Sequence, residues 1–195
     1  MLTEFEGHDQ LILTGSKQTL GLNPITGEMI WNVSGPTEKF VCTPSAGHGM
    51  VFSFGGSPSK KSFAVKLGGT GDVSDSHVVW RSERAMPYVP SPLLVGDYLH
   101  IVNDLGVYTC IEPVSGKVLH TKRAVGSTYS SPIAVGDKIY MFEDTGHCTI
   151  FENRPGFHVL EKNSLDEEVY TTPAVSNGQL FIRTTSALVC ISEPG

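Results

Sequence analysis

The sequence predicts an all-β chain made of β-propeller blades, each of four antiparallel strands, strung head to tail into a partial ring of about four to five blades. Three observations lead there. A hydroxyl residue followed by proline recurs at Thr43-Pro44, Ser91-Pro92, Ser131-Pro132 and Thr172-Pro173, so the prolines stand 48, 40 and 41 residues apart. After the last three of these pairs comes an apolar segment, a Gly, Asp or Asn turn and a second apolar segment, as in LLVGDYLHIV (93–102), IAVGDKIYMF (133–142) and AVSNGQLFI (174–182). Each of these reads as a β-hairpin. The third observation is a bulky residue at a fixed place on the outer strand: Trp31, Trp80, His120 and Leu160 precede the next proline by 13, 12, 12 and 13 residues. Two independent landmarks thus share one register.

The elements follow in order. Residues 1–42 read as a partial blade whose first recognisable strand is 11–15, with no hydroxyl-Pro ahead of it; 18–22 is its third strand. The segments 23–27 (NPITG) and 112–116 (EPVSG) have the chemistry of tight turns closing on a glycine at positive φ. Residues 43–90 form a blade with about eight extra residues, placed in 55–76, where Gly, Ser and Asp flank a short strand at 63–67. Residues 91–130 and 131–171 form two blades with third strands at 107–112 and 148–152. Residues 172–195 form a partial blade ending in a third strand at 187–192, with only Glu193-Pro194-Gly195 beyond. The expected total is sixteen to eighteen strands and almost no helix. Helical repeats of similar length would show apolar positions at 3.6-residue spacing, which the chain lacks.

Composition narrows function. The 195 residues include 21 Gly and 12 Pro, a share above the roughly 12% of ordinary chains, which favours turns over helices. Apolar residues make 39% and charged residues 17%, which is a folding composition rather than a disordered one. The net charge is −6 and the densest basic feature is Lys60-Lys61, so nucleic acid is not an expected partner. No run approaches the roughly 20 apolar residues of a membrane span, and the first residues show no signal-peptide pattern.

The motif NPITGEMIW at 23–31, together with the Thr-Pro and Ser-Pro pairs and the Val-Gly-Asp turns, resembles the repeat of the pyrroloquinoline-quinone-like (PQQ-like) β-propellers. That superfamily includes quinoprotein dehydrogenases and the outer-membrane assembly lipoprotein BamB. The resemblance covers nearly the whole chain and extends to GQLFIRTTSALVCIS at 178–192, which is similar to a last blade. Rings of this family commonly have seven or eight blades, so the resemblance implies the C-terminal part of a larger ring, with missing N-terminal blades or self-association through two uncovered blade faces. It also implies a periplasmic or otherwise extracytoplasmic setting, although the chain carries no address of its own.

Catalytic chemistry is sparsely signalled. Seven His and four Cys include no C-x-x-C or H-x-x-x-H pair, so no metal site is expected. Cys110, Cys148 and Cys190 share strand parity and read as small buried thiols, while Cys42 sits beside Thr43-Pro44. The loop at 70–77 offers Asp72, Ser74, Asp75 and Ser76 as oxygen ligands of the calcium type, but without the acidic ladder of an EF-hand. Ser130, Ser131 and His147 supply nucleophile and base types without a G-x-S-x-G motif. The vicinal Cys pair often found in quinoprotein dehydrogenases is absent.

The expected function is therefore a non-catalytic, BamB-like scaffold for a protein or peptide, with no catalytic residue and no cofactor. The alternative is a fragment of a dehydrogenase using PQQ and calcium, whose catalytic residues lie in other blades. The candidate partner-binding residues are Phe40, Tyr88, Tyr129 and Tyr170, aromatic side chains three or four residues before each landmark proline, where the chain enters an innermost strand near the channel mouth.

Overall fold

The computed structural model describes residues 1–35, 38–83 and 87–192, and among them it holds twenty strands and no helix. The first sheet runs β1 (Leu2–Phe5), β2 (His8–Gly15), β3 (Gln18–Leu22) and β4 (Met29–Ser34), each antiparallel to the one before. The second unit contains β5 (Ser45–Gly47), β6 (Met50–Gly55), β7 (Lys61–Lys66), β8 (Gly71–Asp72) and β9 (Val78–Ser82), of which all but β8 form a four-stranded sheet. The third sheet is β10 (Leu93–Val95), β11 (Tyr98–Val102), β12 (Val107–Ile111) and β13 (Val118–Arg123). The fourth is β14 (Ile133–Val135), β15 (Lys138–Phe142), β16 (His147–Glu152) and β17 (Val159–Ser164). The fifth has three strands, β18 (Ala174–Ser176), β19 (Gln179–Arg183) and β20 (Leu188–Ile191). Glu193-Pro194-Gly195 lie outside the described residues.

The expectation of a partial first blade over 1–42 is corrected: it has all four strands. Leu2 to Phe5 pairs with the stretch beginning at His8 through a turn whose two central residues, Glu6 (φ 50°) and Gly7 (φ 78°), both adopt positive φ, the pattern of the tight hairpin turn that matches strand twist. The hydroxyl-Pro landmark is absent here, so a rule built on that landmark misses the strand. The second addition is β8, a two-residue strand parallel to β4, with Trp31 opposite Gly71 and Asn32 opposite Asp72. The extra residues of the second unit thus reach back over the outer strand of the first. Asp72 accepts from the Ser74 backbone N–H and hydroxyl, and the Ser74 hydroxyl accepts from the Ser34 N–H at 2.8 Å. Of the residues considered for calcium, Asp72 and Ser74 thereby tie the strap down and Ser76 pairs with His77 Nδ1 at 2.8 Å; no group of three or more His, Cys, Asp or Glu placed to hold a metal occurs among the described residues.

The hydroxyl-Pro landmarks have a direct structural meaning. Each landmark's backbone N–H donates to the hydroxyl of the next: Thr43 to Ser91 at 2.9 Å, Ser91 to Ser131 at 2.9 Å, and Ser131 to Thr172 at 3.0 Å. The proline that follows has no N–H to donate, and the hydroxyl supplies the acceptor between neighbouring sheets. A ladder of inter-blade hydrogen bonds therefore runs along the innermost strands.

Core residues lie between sheets. Trp31 and Val33 of the first sheet pack with Val51, Phe63 and Val65 of the second, and the Trp31 Nε1–H donates to Gln10 Oε1 at 2.8 Å. Trp80 on β9 packs with Phe52 and Phe54 and donates to the Pro113 carbonyl of the third unit at 2.8 Å. Both tryptophans thus join blades, as their common repeat position predicts. Between the third and fourth sheets Tyr108, Phe151 and Phe157 form an aromatic cluster with ring centroids 4.6 to 5.3 Å apart. Against it His100, fully buried on β11, meets the Tyr108 hydroxyl at Nδ1 (2.7 Å) and Asn153 Oδ1 at Nε2 (2.8 Å), a polar pin from one blade to the next. Buried polar groups persist where both ends are satisfied, and these are.

The outer face of the first sheet is apolar. Leu2, Leu11, Leu22 and Met29 stand opposite one another across all four strands, with Leu13 beside Leu20 in the adjacent row. Leu2, Leu13 and Met29 are exposed, and no buried cluster includes this face.

Candidate functional site

Site geometry begins with two turns of the same sequence logic. Residues 103–106 (NDLG) join β11 to β12, and 143–146 (EDTG) join β15 to β16. Each closes by a glycine N–H donating three residues back, Gly106 to the Asn103 carbonyl (2.8 Å) and Gly146 to the Glu143 carbonyl (2.9 Å). Gly146 has φ 83°, and a Cβ there would fall on the Glu167 carbonyl, so the neighbouring segment can approach only because this residue is glycine.

The second residue of each turn, Asp104 or Asp144, clasps two segments at once. The Asp104 carboxylate accepts from the N–H groups of Tyr88 (2.9 Å) and Val89 (3.0 Å), and its carbonyl accepts from Thr128 N–H (3.2 Å). In the next unit the Asp144 carboxylate accepts from Tyr129 N–H (2.9 Å), and its carbonyl accepts from Val169 N–H (3.1 Å). Thr128 is buried, its hydroxyl donating to the Phe142 carbonyl at 2.7 Å; Ser130 and Val169 are also buried. Backbone alternation then turns Tyr129 and Tyr170 outward, where they are 51% and 45% exposed.

Of the four aromatic residues nominated from sequence, the structure brings these two together, with ring centroids 6.1 Å apart and planes at 59°. Phe40 is half-buried against the core between the first two sheets and covers Gly55; Tyr88 is half-buried beside Asp104. Neither Phe40 nor Tyr88 makes a ring contact with the pair. Carboxylates accompany the pair. A hydrogen bond from its hydroxyl to Glu168, slight desolvation and the negative charges of Glu168 and Asp144 together raise the Tyr170 phenol above the ordinary range. Burial alone would raise Asp104, but the Lys60 ammonium at 2.8 Å and the donors from Tyr88 and Val89 hold it below the ordinary carboxylate range. Asp144 and Glu168 make no ion pair within 4 Å among the described residues. Asp104, Asp144 and Glu168 were not nominated by sequence reasoning; the readable signal was an Asp two residues before Gly at one repeat offset, 40 residues apart.

A concavity of about 790 Å³ lies apart from the tyrosine pair, between the fourth and fifth sheets, and is lined by Phe142, Ile150, Leu165, Leu180 and Ile182 among others. The corresponding space between the third and fourth sheets is filled by Phe157, from the turn before a fourth strand. The fifth sheet has no fourth strand among the described residues, so the cleft is an incompletely filled inter-blade groove. Its one thiol, Cys148, is pushed up to about 12 by burial, which makes it a poor nucleophile.

The nucleophile types named from sequence are not assembled. The Ser131 hydroxyl accepts in the inter-blade ladder, Ser130 donates to the Ser131 carbonyl at 3.4 Å, and His147 Nδ1 pairs with the Thr145 hydroxyl at 3.0 Å. Cys42, Cys110 and Cys148 are buried, but Cys190 is exposed, contrary to the expectation that it is buried like Cys110. It alternates on β20 with Ile191, which lines the cleft, and so stands on the other face of the strand.

No protein-family profile and no curated protein matches the chain. Among solved structures, the crystal structure of BamB from Moraxella catarrhalis matches with a TM-score of 0.75 at 14% sequence identity, over 98% of this chain and 57% of that one. The likeness establishes the β-propeller fold. The chain spans little more than half the length of that structure.

Proposed function

We propose that this chain is a propeller scaffold that docks a protein or peptide partner through the face carrying Tyr129 and Tyr170. The observation that carries this reading is the exposed tyrosine pair held by buried neighbours and by Asp144. Fixed aromatic side chains with a polar tip present large contact area at small entropic cost, the character of interface anchors. The BamB-like propeller fold is compatible with a scaffold role, and the function is argued from the tyrosine face rather than from the fold. An extracytoplasmic setting follows from the PQQ-like resemblance as part of the same proposal.

A photo-crosslinking amino acid placed at position 129 in cells producing the protein tests the reading. An adduct at 129 that is lost with Tyr170→Ala, and absent when the probe is at Asp75 on the strap, supports docking at this face. Equal adducts at 129 and 75, or none at 129, refute it. Alcohol- or sugar-dependent dye reduction after addition of PQQ and calcium would replace it with the dehydrogenase alternative.

A further inference from the structure

The repeat supplies an internal comparison at the tyrosine face. At the Asp104 position the carboxylate that caps the incoming segment also holds an ammonium: Lys60, from the loop between β6 and β7 of the preceding blade, reaches it at 2.8 Å. At the equivalent Asp144 the capping bond to Tyr129 is kept, but the preceding blade has the four-residue turn 103–106 where the lysine-bearing loop would be. That turn contains no basic residue, and the Arg123 guanidinium that lies against it donates to the Leu105 carbonyl at 3.0 Å and forms no ion pair within 4 Å among the described residues. Arg183, the basic residue of the neighbouring β19, donates its Nε–H to the Thr184 carbonyl at 2.9 Å and forms no ion pair within 4 Å among the described residues.

Beside this unmatched carboxylate stand the exposed rings of Tyr129 and Tyr170, with the exposed carboxylate of Glu168 two residues before Tyr170 in the chain. A cation over such a ring gains from its quadrupole, and the two carboxylates add charge attraction. The chain's net charge of −6 adds a long-range attraction of the same sign.

We infer that the patch of Tyr129, Tyr170, Asp144 and Glu168 receives a lysine or arginine side chain of a protein partner, in the role Lys60 fills intramolecularly at Asp104. This rests on the docking reading above and names the chemistry that docks. An exposed cation–π or ion-pair contact changes affinity by about two- to fivefold for each group removed.

The test is a titration of the ¹⁵N-labelled chain with the acetylated, amidated peptide GRGKG and its neutral twin GQGQG. The expected result is amide shifts centred on residues 129, 144, 168 and 170 with GRGKG alone, weakened about tenfold in a Tyr170→Leu, Glu168→Gln double variant. An otherwise unchanged spectrum of that variant reports an intact fold. Shifts scattered over other acidic positions such as Asp9 and Glu161, no shifts at all, or shifts that survive in the variant overturn the inference. An equal response to GQGQG overturns the choice of a cation while leaving docking at the tyrosines standing. Localised GRGKG shifts without the in-cell adduct at 129 support the cation site and refute the protein-partner reading.

Discussion

Replacing Ser131 by Ala removes one rung of the ladder that ties the innermost strands together. The Ser131 hydroxyl accepts from Ser91 N–H at 2.9 Å at a half-buried position, while the Ser131 N–H still donates to Thr172. A net hydrogen bond is worth about 0.5 to 1.5 kcal/mol, and leaving a partly buried N–H without an acceptor adds to that loss, so about 1 to 2 kcal/mol is expected. For a chain of this length each kcal/mol moves the midpoint by about 2 to 4 °C, which gives a fall of about 2 to 8 °C. Ser131→Thr keeps the hydroxyl in the form the repeat itself uses at Thr43 and Thr172, and should keep most of the stability. Ser127→Ala, at an exposed position outside the ladder, serves as the control. The assay is urea unfolding followed by tryptophan fluorescence, with thermal melts alongside. A Ser131→Ala midpoint equal to that of wild type, or a Ser131→Thr loss as large as the Ala loss, would refute the assignment of the landmark to inter-blade bonding.

Four further outcomes are expected. Trp80→Ala should cost about 2 to 4 kcal/mol, less than a fully buried tryptophan because the ring is half-buried, since it empties a site packed against Phe52 and Phe54 and leaves the Pro113 carbonyl without its donor; Trp80→Phe should cost less, as read from unfolding midpoints. Burial holds the His100 imidazole below its ordinary value of about 6.5, so the unfolded chain takes up the proton first as pH falls. His100 therefore withdraws no stability above about pH 6.5, and stability declines from there down to the depressed folded value, by at most about 1.4 kcal/mol per pH unit; unfolding curves at pH 7.5 and 5 should show this slope, and His100→Gln should flatten it. Burial raises Cys110 and pushes Cys42 and Cys148 up to about 12, so of the four thiols Cys190 alone should react rapidly with a thiol reagent in the folded state, the other three following only on unfolding. The exposed leucine face should drive self-association, with Leu11→Lys plus Leu13→Lys giving a smaller species; sedimentation of the parent as a monomer of 21.0 kDa would show that the face stays uncovered in solution.

The blade arrangement was legible because its marks are local. A proline cannot continue a ladder, a positive-φ glycine must close a turn, and these recur at fixed offsets whatever the surrounding side chains are. The β1 strand was not read because its blade uses Glu6-Gly7 alone, without the landmark that defines the others. The strap's pairing is invisible in the sequence, since two residues of strand paired with β4 some 40 positions earlier leave no periodicity to detect. At the tyrosine face the positions were readable, but which pair meets was not. Phe40 and Tyr88 stand four residues before their prolines and Tyr129 and Tyr170 only three, and the one-residue difference goes with a different placement: Phe40 covers Gly55 and Tyr88 sits beside Asp104, while the later two turn outward. The unmatched charge at Asp144 appears only when the turn at 103–106 is compared in space with its predecessor.

The strap also alters how the polypeptide can be divided. Because β8 belongs by sequence to the second unit and by pairing to the first, those two blades are interleaved, and a cut near residues 42 and 43 would not yield two self-contained modules. The boundary near residues 130 and 131 is different, since all strands of the fourth sheet lie on one side of it. Circular permutation or domain transplantation at the second boundary would carry whole blades, with the severed landmark bonds as the loss at the inner strands; at the first it would tear one blade's rim from its neighbour.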